Sequence, residues 1–228
     1  LRKQSRNPYT QEEKMMQCDV LIIGAGPAGI FTALELLKRN SKKKIILVEK
    51  GKAIENRRCP KAQTGRCMQC TPCHITTGFS GAGAFSDGKY NITNDFGGTL
   101  HEHIGKKKAL ELMRYVDDIN IKFGGEGTRL YSTAGSKFKK ICIQNKLDLL
   151  DASVRHLGTD VNFVVLQNLY SELKDKIDFY FNTPVRDVEI RNGKYEVICD
   201  DKTFECDKCV VSVGRSGSKW IESVCRSL

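Results

Sequence analysis

The stretch CDVLIIGAGPAGIFTALELLKRNSKKKIILVEKG, residues 18–51, decides the fold of this chain. Its continuous apolar run at residues 20–23 is typical of a parallel strand that is buried on both faces. A glycine-rich turn follows, and apolar residues then recur at helical spacing from Ile30 to Leu37. A second apolar strand ends at Glu49. Strand, turn, helix and strand together predict a βαβ unit of about 30 residues, the setting in which a glycine fingerprint becomes credible.

The turn Gly24-Ala-Gly26-Pro-Ala-Gly29 has the spacing of a dinucleotide-binding loop. Gly24 allows a tight turn out of the strand, Gly26 lets the backbone approach a pyrophosphate, and Gly29 permits close packing of helix on strand. The helix N-terminus offers N–H groups and the positive end of its dipole to the phosphates. Glu49 is expected to accept hydrogen bonds from ribose hydroxyls. A glycine turn without a ligand is the less favoured interpretation.

The late part of the chain favours FAD over NAD as the dinucleotide. Residues 185–206 read as a β-meander with a hairpin turn at Asn192-Gly193, and a buried strand, CVVSV, then ends at Gly214. This arrangement resembles the third element of two-dinucleotide-type flavoproteins. The resemblance places Gly214 beside the cofactor and the backbone of Val185 near the adenine. No Gly-Asp pair occurs in the sequence, so we expect the chain to be an N-terminal fragment that stops before the element that usually closes the site.

Four stretches resemble the bacterial family of poorly characterised FAD-dependent dehydrogenases. They are VLIIGAGPAGIFTALELL with VEKG, CP…CMQCTPCHITTGFSGAGAFSDGK, RHLGTD, and VVSVGRSGSKW, and they span most of residues 18–220. The second stretch is the most specific of the four. The resemblance implies FAD binding and an oxidoreductase in which the flavin carries the hydride, and it supplies no substrate.

The predicted fold class is α/β, a Rossmann-like FAD/NAD(P)-binding domain with a three-layer sheet, a β-meander and a helical insertion. The expected parts are residues 18–98 (FAD-binding domain, first part), 99–176 (mostly helical insertion on the substrate side) and 177–228 (FAD-binding domain, second part). Helices are expected over 100–121 and around 137–154, and Asp160 is expected to cap a helix that runs to about residue 176.

The cysteine-rich stretch between the two strands and the glycine loop allows several interpretations. Cys59, Cys67, Cys70 and Cys73 could hold an iron–sulfur cluster or a structural zinc ion, or could be packing or incidental thiols. Cys70-Thr-Pro-Cys73-His74 also has the covalent haem-attachment pattern, which would require an exported chain. The metal therefore stays unknown. The following segment, GFSGAGAFSDGK, is interpreted as a flavin-contacting loop, because small residues expose backbone N–H groups.

Composition excludes some classes of protein. The net charge is +10, but the lysines are scattered, which favours a solvated surface over nucleic-acid binding and also suits an anionic substrate. No apolar run is long enough for a membrane span. Ten cysteines without a secretory signal favour a reducing, cytoplasmic location. Arg155-His156 is the best substrate-binding candidate, with a surface role for the pair as the equal alternative. His101 and His103 are a poor ligand pair, and Cys206 and Cys209 are expected to pack.

The sequence thus predicts a cytoplasmic FAD-dependent oxidoreductase that acts on a small-molecule substrate, with a redox partner protein as a further expectation. The alternative is a non-catalytic nucleotide-binding or redox-sensing module with a cysteine metal site. No catalytic residue can be assigned from the sequence. The predicted cofactor-binding residues are Gly24, Gly26, Pro27, Ala28, Gly29, Glu49, Lys50, Gly81, Ala82, Gly83, Val185 and Gly214.

Overall fold

The computed structural model describes residues 15–39 and 42–228. These residues form two compact units. The first unit contains the residues up to Gly81 together with Glu172–Leu228, and the second unit is Ala82–Ser171. Residues 1–14, which make up most of the amino-terminal stretch without a predicted secretory signal, lie outside the described residues. No helix in the described part of the chain is long and apolar enough to cross a membrane.

The strands of the described residues are β1 (Met16–Ile23), β2 (Ile45–Val48), β3 (Lys89–Ile92), β4 (Leu130–Ser132), β5 (Ser153–His156), β6 (Asp178–Tyr180), β7 (Val185–Arg191), β8 (Lys194–Cys199) and β9 (Thr203–Val211). The α-helices are α1 (Pro27–Arg39), α2 (Lys61–Thr64), α3 (Leu100–Ile104), α4 (Lys106–Asn120), α5 (Phe138–Gln144), α6 (Thr159–Lys174) and α7 (Ser218–Ser227). Short 3-10 turns occur at Ile54–Asn56, Gly81–Phe85 and Arg215–Gly217.

A six-stranded mixed sheet, in the order β6-β2-β1-β9-β8-β7, forms the centre of the first unit. β1 pairs in parallel with β2 on one side and with β9 on the other. All four residues of β2 and the last four of β1 are buried, as expected for parallel strands covered on both faces. The predicted βαβ unit is therefore present, with α1 as its helix, and it places the glycine turn at the carboxyl end of β1.

β6 pairs in parallel with β2 at one edge of the sheet, and the other three strands form the predicted meander. β7, β8 and β9 are joined by antiparallel pairing, and the turn between β7 and β8 contains Asn192 at φ 52° and Gly193 at φ 77°. Two successive positive φ angles are the signature of a type I′ hairpin turn, for which Asn-Gly is the favoured pair. The hairpin prediction is confirmed.

The second unit contains more strand than the sequence predicted. Its three-stranded sheet, in the order β3-β5-β4, pairs antiparallel throughout, and β5 occupies the end of the segment expected to be helical around 137–154. Only α5 is helical there. Likewise Gly105, at φ 84°, separates α3 from α4 within the helix expected over 100–121. β5 is a strand because β3 and β4 pair with it on its two sides. Local periodicity cannot predict this pairing, since the three strands are distant in sequence.

The helix that Asp160 was expected to cap begins at Thr159 and ends at Lys174, so the cap prediction is wrong. Gly158, at φ 78°, precedes it and lets the chain turn into the helix, so Asp160 lies in the first turn. A carboxylate there still interacts favourably with the helix dipole. The domain boundaries at residues 98/99 and 176/177 stay a prediction. The two compact units are divided at other positions, 81/82 and 171/172.

Candidate functional site

The glycine turn after β1 is shaped by close backbone contacts at two of its three glycines. A Cβ atom on Gly24, which has φ 101°, would lie 2.6 Å from the carbonyl oxygen of Ser212. A Cβ atom on Gly29 would lie 2.0 Å from the carbonyl oxygen of Gly24. Both positions therefore need glycine for the fold itself, since real Cβ atoms do not approach backbone this closely.

Gly26 is different, because no part of the described protein requires glycine there. The nearest atom to a Cβ built on Gly26 is the Ser212 carbonyl oxygen, at 4.0 Å, and its φ lies outside the left-handed region. Gly26 is half-buried and directly precedes α1, which starts with Pro27. Proline is favoured at a first helical position because the N–H it lacks would have no partner within the helix. The turn thus leaves an open backbone surface at a helix N-terminus, where anions bind.

Glu49 connects three backbone segments around this turn. One carboxylate oxygen, Oε2, accepts a hydrogen bond from the Ala25 N–H at 2.9 Å. The other, Oε1, accepts from Gly51 at 2.9 Å and from Gly78 at 3.1 Å. The side chain is buried. A carboxylate oxygen has two acceptor positions, so Oε1 is filled and Oε2 keeps one further acceptor position.

The segment 77–80 packs directly against the glycine turn. Ser80 donates its N–H to the Ala25 carbonyl at 2.6 Å, and Phe79, which is fully buried, donates to the Lys52 carbonyl at 3.0 Å. A Cβ on Gly51 would lie 2.5 Å from the Gly78 nitrogen. The start of the segment that was interpreted as a flavin-contacting loop is therefore attached to the glycine turn by the Ser80–Ala25 backbone hydrogen bond.

Arg57 holds the same segment from its other side. Its guanidinium donates five hydrogen bonds, all to backbone carbonyls: two to His74, and one each to Ile75, Phe79 and Gly81, at 2.6–3.1 Å. Only 3% of the residue is exposed. Burial lowers the pKa of the Arg57 guanidinium to about 10, so it keeps its charge at neutral pH. Arginine suits this position because its planar fork carries five N–H donors.

Residues just after the carboxyl end of β9, the strand next to β1, contact the glycine turn. Ser212 donates its N–H to the Ile23 carbonyl at 2.8 Å, and its hydroxyl lies 3.0 and 2.9 Å from the carbonyls of Ile23 and Gly24. Gly214 follows at φ 62° and ψ −165°, a conformation that is essentially restricted to glycine. Lys50 donates from Nζ to the Ser216 hydroxyl at 3.2 Å. Val185 begins β7 in the same sheet.

The glycine loop has residues in both compact units. Gly81 is the last residue of this part of the first unit, whereas Ala82 and Gly83 open the second, and all three lie in the 3-10 turn Gly81–Phe85. Gly81 has φ 56°, and in the second unit the Gly83 carbonyl accepts a hydrogen bond from Asn162 Nδ2 at 2.8 Å. Contact of these three residues with a flavin stays a prediction.

The four-thiolate site suggested by Cys59, Cys67, Cys70 and Cys73 is not assembled. Across residues 15–39 and 42–228, no group of three or more Cys, His, Asp or Glu side chains is arranged to hold a metal ion. All four thiols are free. The alternative function that depended on a cysteine metal site therefore has no support from the arrangement of these residues.

Cys206 and Cys209 pack, as predicted, but together with a third thiol. Both lie within β9 and adjoin the hydrophobic core, and Cys18, the partner of Cys206 in the strand register, packs there too. Hydrogen bonding to the Cys206 sulfur, together with burial, raises the pKa of the Cys18 and Cys209 thiols. These two groups are thus neutral thiols at physiological pH, and they behave as small apolar side chains.

The prediction that Arg155 contacts a substrate is wrong, because its side chain is bound within the second unit. The Arg155 guanidinium is buried and forms a bidentate ion pair with Asp117, at 2.6 and 2.8 Å, and a third hydrogen bond to the Thr128 carbonyl at 2.7 Å. Its donors serve the interior of the unit. His156 is exposed on β5, and His101 and His103 lie on the short helix α3. Within residues 15–39 and 42–228, none of these three histidines belongs to a group of side chains that could hold a metal ion.

Sequence reasoning missed two residues that support the site. Ser212 contacts the glycine turn, and Arg57 holds the neighbouring segment 77–80. Ser212 carries a weak signal, because it lies two residues before Gly214 at the end of a predicted buried strand. Arg57 carries none, because it lies in a connection without periodicity and its five acceptors are main-chain atoms, 17 to 24 residues away in the chain.

Comparison with known proteins identifies the type of fold. The model of the family described as pyridine nucleotide-disulphide oxidoreductase matches residues 18–122, somewhat less than half of the chain. A search of curated proteins found no match. Glycine oxidase from Geobacillus kaustophilus is similar in structure with a TM-score of 0.51 at 16% identity, over 90% of this chain and 59% of that one. The 3-ketosteroid-Δ4-(5α)-dehydrogenase from Rhodococcus jostii RHA1 gives a TM-score of 0.54 at 12% identity, over 96% and 50%.

These matches confirm the predicted fold class, a Rossmann-like α/β fold of the FAD/NAD(P)-binding type. At 16% and 12% identity these structures show the fold alone, so FAD binding and an oxidoreductase activity stay predictions for this chain. The chain spans about half the length of the solved structures that it matches.

Proposed function

We propose that this chain binds FAD in its first unit and belongs to an oxidoreductase that acts on a small-molecule substrate. The observation that carries the proposal is Gly26, a glycine without a structural reason inside the protein, at the N-terminus of α1. The residues present fit the cofactor: the backbone of residues 24–29 would hold the pyrophosphate, and the remaining acceptor position on Glu49 would hold a ribose hydroxyl. When bound, FAD supplies the group that accepts or donates the hydride.

The protein's own residues in this proposal shape and support the binding surface. Arg57 and Glu49 hold segment 77–80 against the turn, and Ser212 fixes the carboxyl end of β9 beside it. Lys50, Val185 and Gly214 would line the remainder of the site, and Gly81, Ala82 and Gly83 would contact the flavin. A substrate of anionic character is proposed from the net charge of +10, and a redox partner protein remains part of the proposal.

We also propose a cytoplasmic location. All ten cysteines, three of them exposed, are free thiols in this structure, and exposed free thiols persist in a reducing compartment.

The cofactor proposal is tested by the absorption spectrum of the purified protein after incubation with FAD and gel filtration. We expect a flavin spectrum that co-elutes with the protein and bleaches on reduction with dithionite. A colourless protein that shows no change in FAD fluorescence on titration would contradict the proposal. Binding of NADH in place of FAD, measured by the same titration, would assign the turn to a nicotinamide dinucleotide.

Gly26→Ala separates the role of the turn in folding from its role in binding. Because no protein atom lies closer than 4.0 Å to the added methyl group, we expect the free energy of unfolding to change by less than about 1 kcal/mol. FAD affinity should fall at least about tenfold, because the methyl group would occupy the space where a pyrophosphate approaches. Urea unfolding without cofactor and fluorescence titration with FAD measure the two quantities.

Gly29→Ala is the matched control, because its added methyl group would lie 2.0 Å from the Gly24 carbonyl oxygen. This variant should lose both stability and binding. An affinity for FAD that is unchanged in Gly26→Ala would remove the support that Gly26 gives to the proposal.

A further inference from the structure

One long stretch of the second unit buries none of its residues. No residue from 126 to 154, all of which the structure describes, is buried, although this stretch contains β4, α5 and the start of β5. Seven of the fifteen large apolar side chains that are exposed in the described residues lie within residues 130–150, two on β4 and five between residues 138 and 150. Single exposed apolar residues are ordinary, but an accumulation of them marks a surface that binds something.

Most of these side chains belong to an ordered excursion, residues 134–150, whose two ends are joined by hydrogen bonds. The Thr133 N–H donates to the Ala152 carbonyl at 3.0 Å. The Thr133 hydroxyl accepts from the Ala152 N–H at 2.9 Å and donates to the Leu150 carbonyl at 2.6 Å. The backbone of the excursion is therefore held by hydrogen bonds, and its apolar side chains contribute no buried core to the unit.

The excursion is basic as well as apolar. It contains four lysines and one aspartate, a net charge of +3, and all four lysines are exposed. Lys137 Nζ lies 5.5 Å from the centre of the exposed Phe138 ring, and the Arg129 guanidinium lies 4.8 Å from that of Tyr131. Apolar groups with cations beside them are typical of surfaces that lie in the headgroup region of an anionic bilayer, where the rings meet acyl chains and the cations meet phosphates.

We propose that residues 130–150 bind the surface of an anionic lipid bilayer as a peripheral contact. Phe138 and Ile141, three residues apart on one face of α5, enter the boundary of the acyl chains, and the lysines bind the headgroup phosphates. Charge favours this occupant over a second copy of the chain, because a symmetric dimer would bring two segments of charge +3 together. The proposal does not depend on FAD binding, since no residue of the glycine turn takes part in it.

Co-sedimentation of the full chain with lipid vesicles tests the proposal. We expect binding to vesicles of equal parts phosphatidylcholine and phosphatidylserine, and at least about tenfold weaker binding to pure phosphatidylcholine. The binding should weaken as the salt concentration rises, because salt screens exposed charges. Absence of binding to the anionic vesicles overturns the proposal. Binding to polyglutamate without binding to these vesicles would assign the surface to an acidic protein partner, and this result overturns the proposal as well.

Two triple variants separate the excursion from the net charge of +10, which by itself attracts anionic lipid. Lys137→Gln, Lys140→Gln and Lys146→Gln combined should lower the affinity for anionic vesicles at least about tenfold, because each lysine near the bilayer contributes. The same change at the three exposed lysines of residues 106–108 removes as much charge from another place and should lower the affinity less than about threefold. Equal losses would show that net charge alone attracts the protein, which contradicts a defined surface.

A pair of isoleucines tests the apolar part of the contact. Ile141 is 52% exposed and Ile190, on β7 of the first unit, is 54% exposed. Ile141→Ser should lower the affinity for anionic vesicles at least about fivefold, because the bilayer then receives less apolar surface. Ile190→Ser should leave the affinity unchanged. Circular dichroism checks that both variants fold, and equal affinities of the two variants overturn the insertion of α5.

Tryptophan fluorescence reports directly whether α5 enters the bilayer. The chain has one tryptophan, Trp220, which packs against the core of the first unit and provides the background signal. In Phe138→Trp we expect a blue shift of the emission on addition of anionic vesicles, with quenching by lipids that are brominated in their acyl chains. Emission that does not change while the protein binds the vesicles contradicts the proposal. An oligomer in lipid-free solution that Ile141→Ser dissociates, measured by sedimentation velocity, would assign the surface to a second copy and overturns it.

Discussion

Replacing Arg57 with methionine is expected to lower the free energy of unfolding by about 3 kcal/mol or more. The substitution keeps an apolar stem of similar length and removes five hydrogen bonds. Four backbone carbonyls lose a donor, and a buried acceptor left without a partner costs about 1–3 kcal/mol. Because part of this segment is exposed, water compensates for some of the loss, which is why the expected sum stays well below the maximum.

Arg57→Lys and Arg58→Met complete this experiment. Lysine keeps the charge but offers a single nitrogen, which cannot reach carbonyls on several sides, so we expect it to recover only a minor part of the stability. Arg58 is exposed, and its substitution by methionine should change the free energy of unfolding by less than about 0.5 kcal/mol. Urea denaturation gives the energies, and hydrogen–deuterium exchange should place the loss of protection at residues 74–81. Equal stabilities of Arg57→Met and Arg58→Met would show that the five bonds contribute nothing.

The second large effect is expected in the other unit, at the ion pair of Asp117 with Arg155. Asp117→Asn keeps the size of the side chain and removes the charge, so that the buried guanidinium loses its counter-ion. Breaking a buried pair from one side costs about 3–5 kcal/mol. We expect a loss of this size in the free energy of unfolding, measured by urea denaturation, with the loss of exchange protection confined to residues 82–171.

A double variant shows whether the cost arises from the unpaired charge. Asp117→Leu combined with Arg155→Met removes both charges, and apolar replacement of a whole buried pair is often neutral or stabilising. We therefore expect the double variant to be more stable than Asp117→Asn. Asp118→Asn, at an exposed neighbour, is the control for a change of net charge. A double variant that is less stable than Asp117→Asn would mean that the pair contributes favourably beyond compensating its own burial.

The sequence predicted the parts of the fold that depend on neighbours along the chain. The buried strands, the glycine turn and α1 follow from apolar periodicity and from the positions of three glycines, all within residues 18–51. The hairpin at Asn192-Gly193 follows from two residues that accept positive φ. In each case the physical cause is local, so a short stretch contains all the information that is needed.

Local reasoning does not reach contacts between distant residues. Cys206 and Cys209 pack as expected, but that Cys18, almost 190 residues earlier in the chain, joins them at the core is shown only by the structure. Similarly, β5 is a strand because two other strands pair with it, although its flanking sequence favours a helix.

The sequence by itself determined that residues 18–51 form a dinucleotide-type βαβ unit, because strand and helix periodicity and glycine spacing are properties of one continuous segment. Only the tertiary structure decided how the rest of the site is held. Glu49 binds backbone N–H groups from three segments, Arg57 binds four carbonyls of residues 74–81, and Arg155 turns inward to Asp117. The physical reason is the same in all three: a buried charge must find partners, and most of these partners lie far away in the chain, so that only folding brings them within hydrogen-bonding distance.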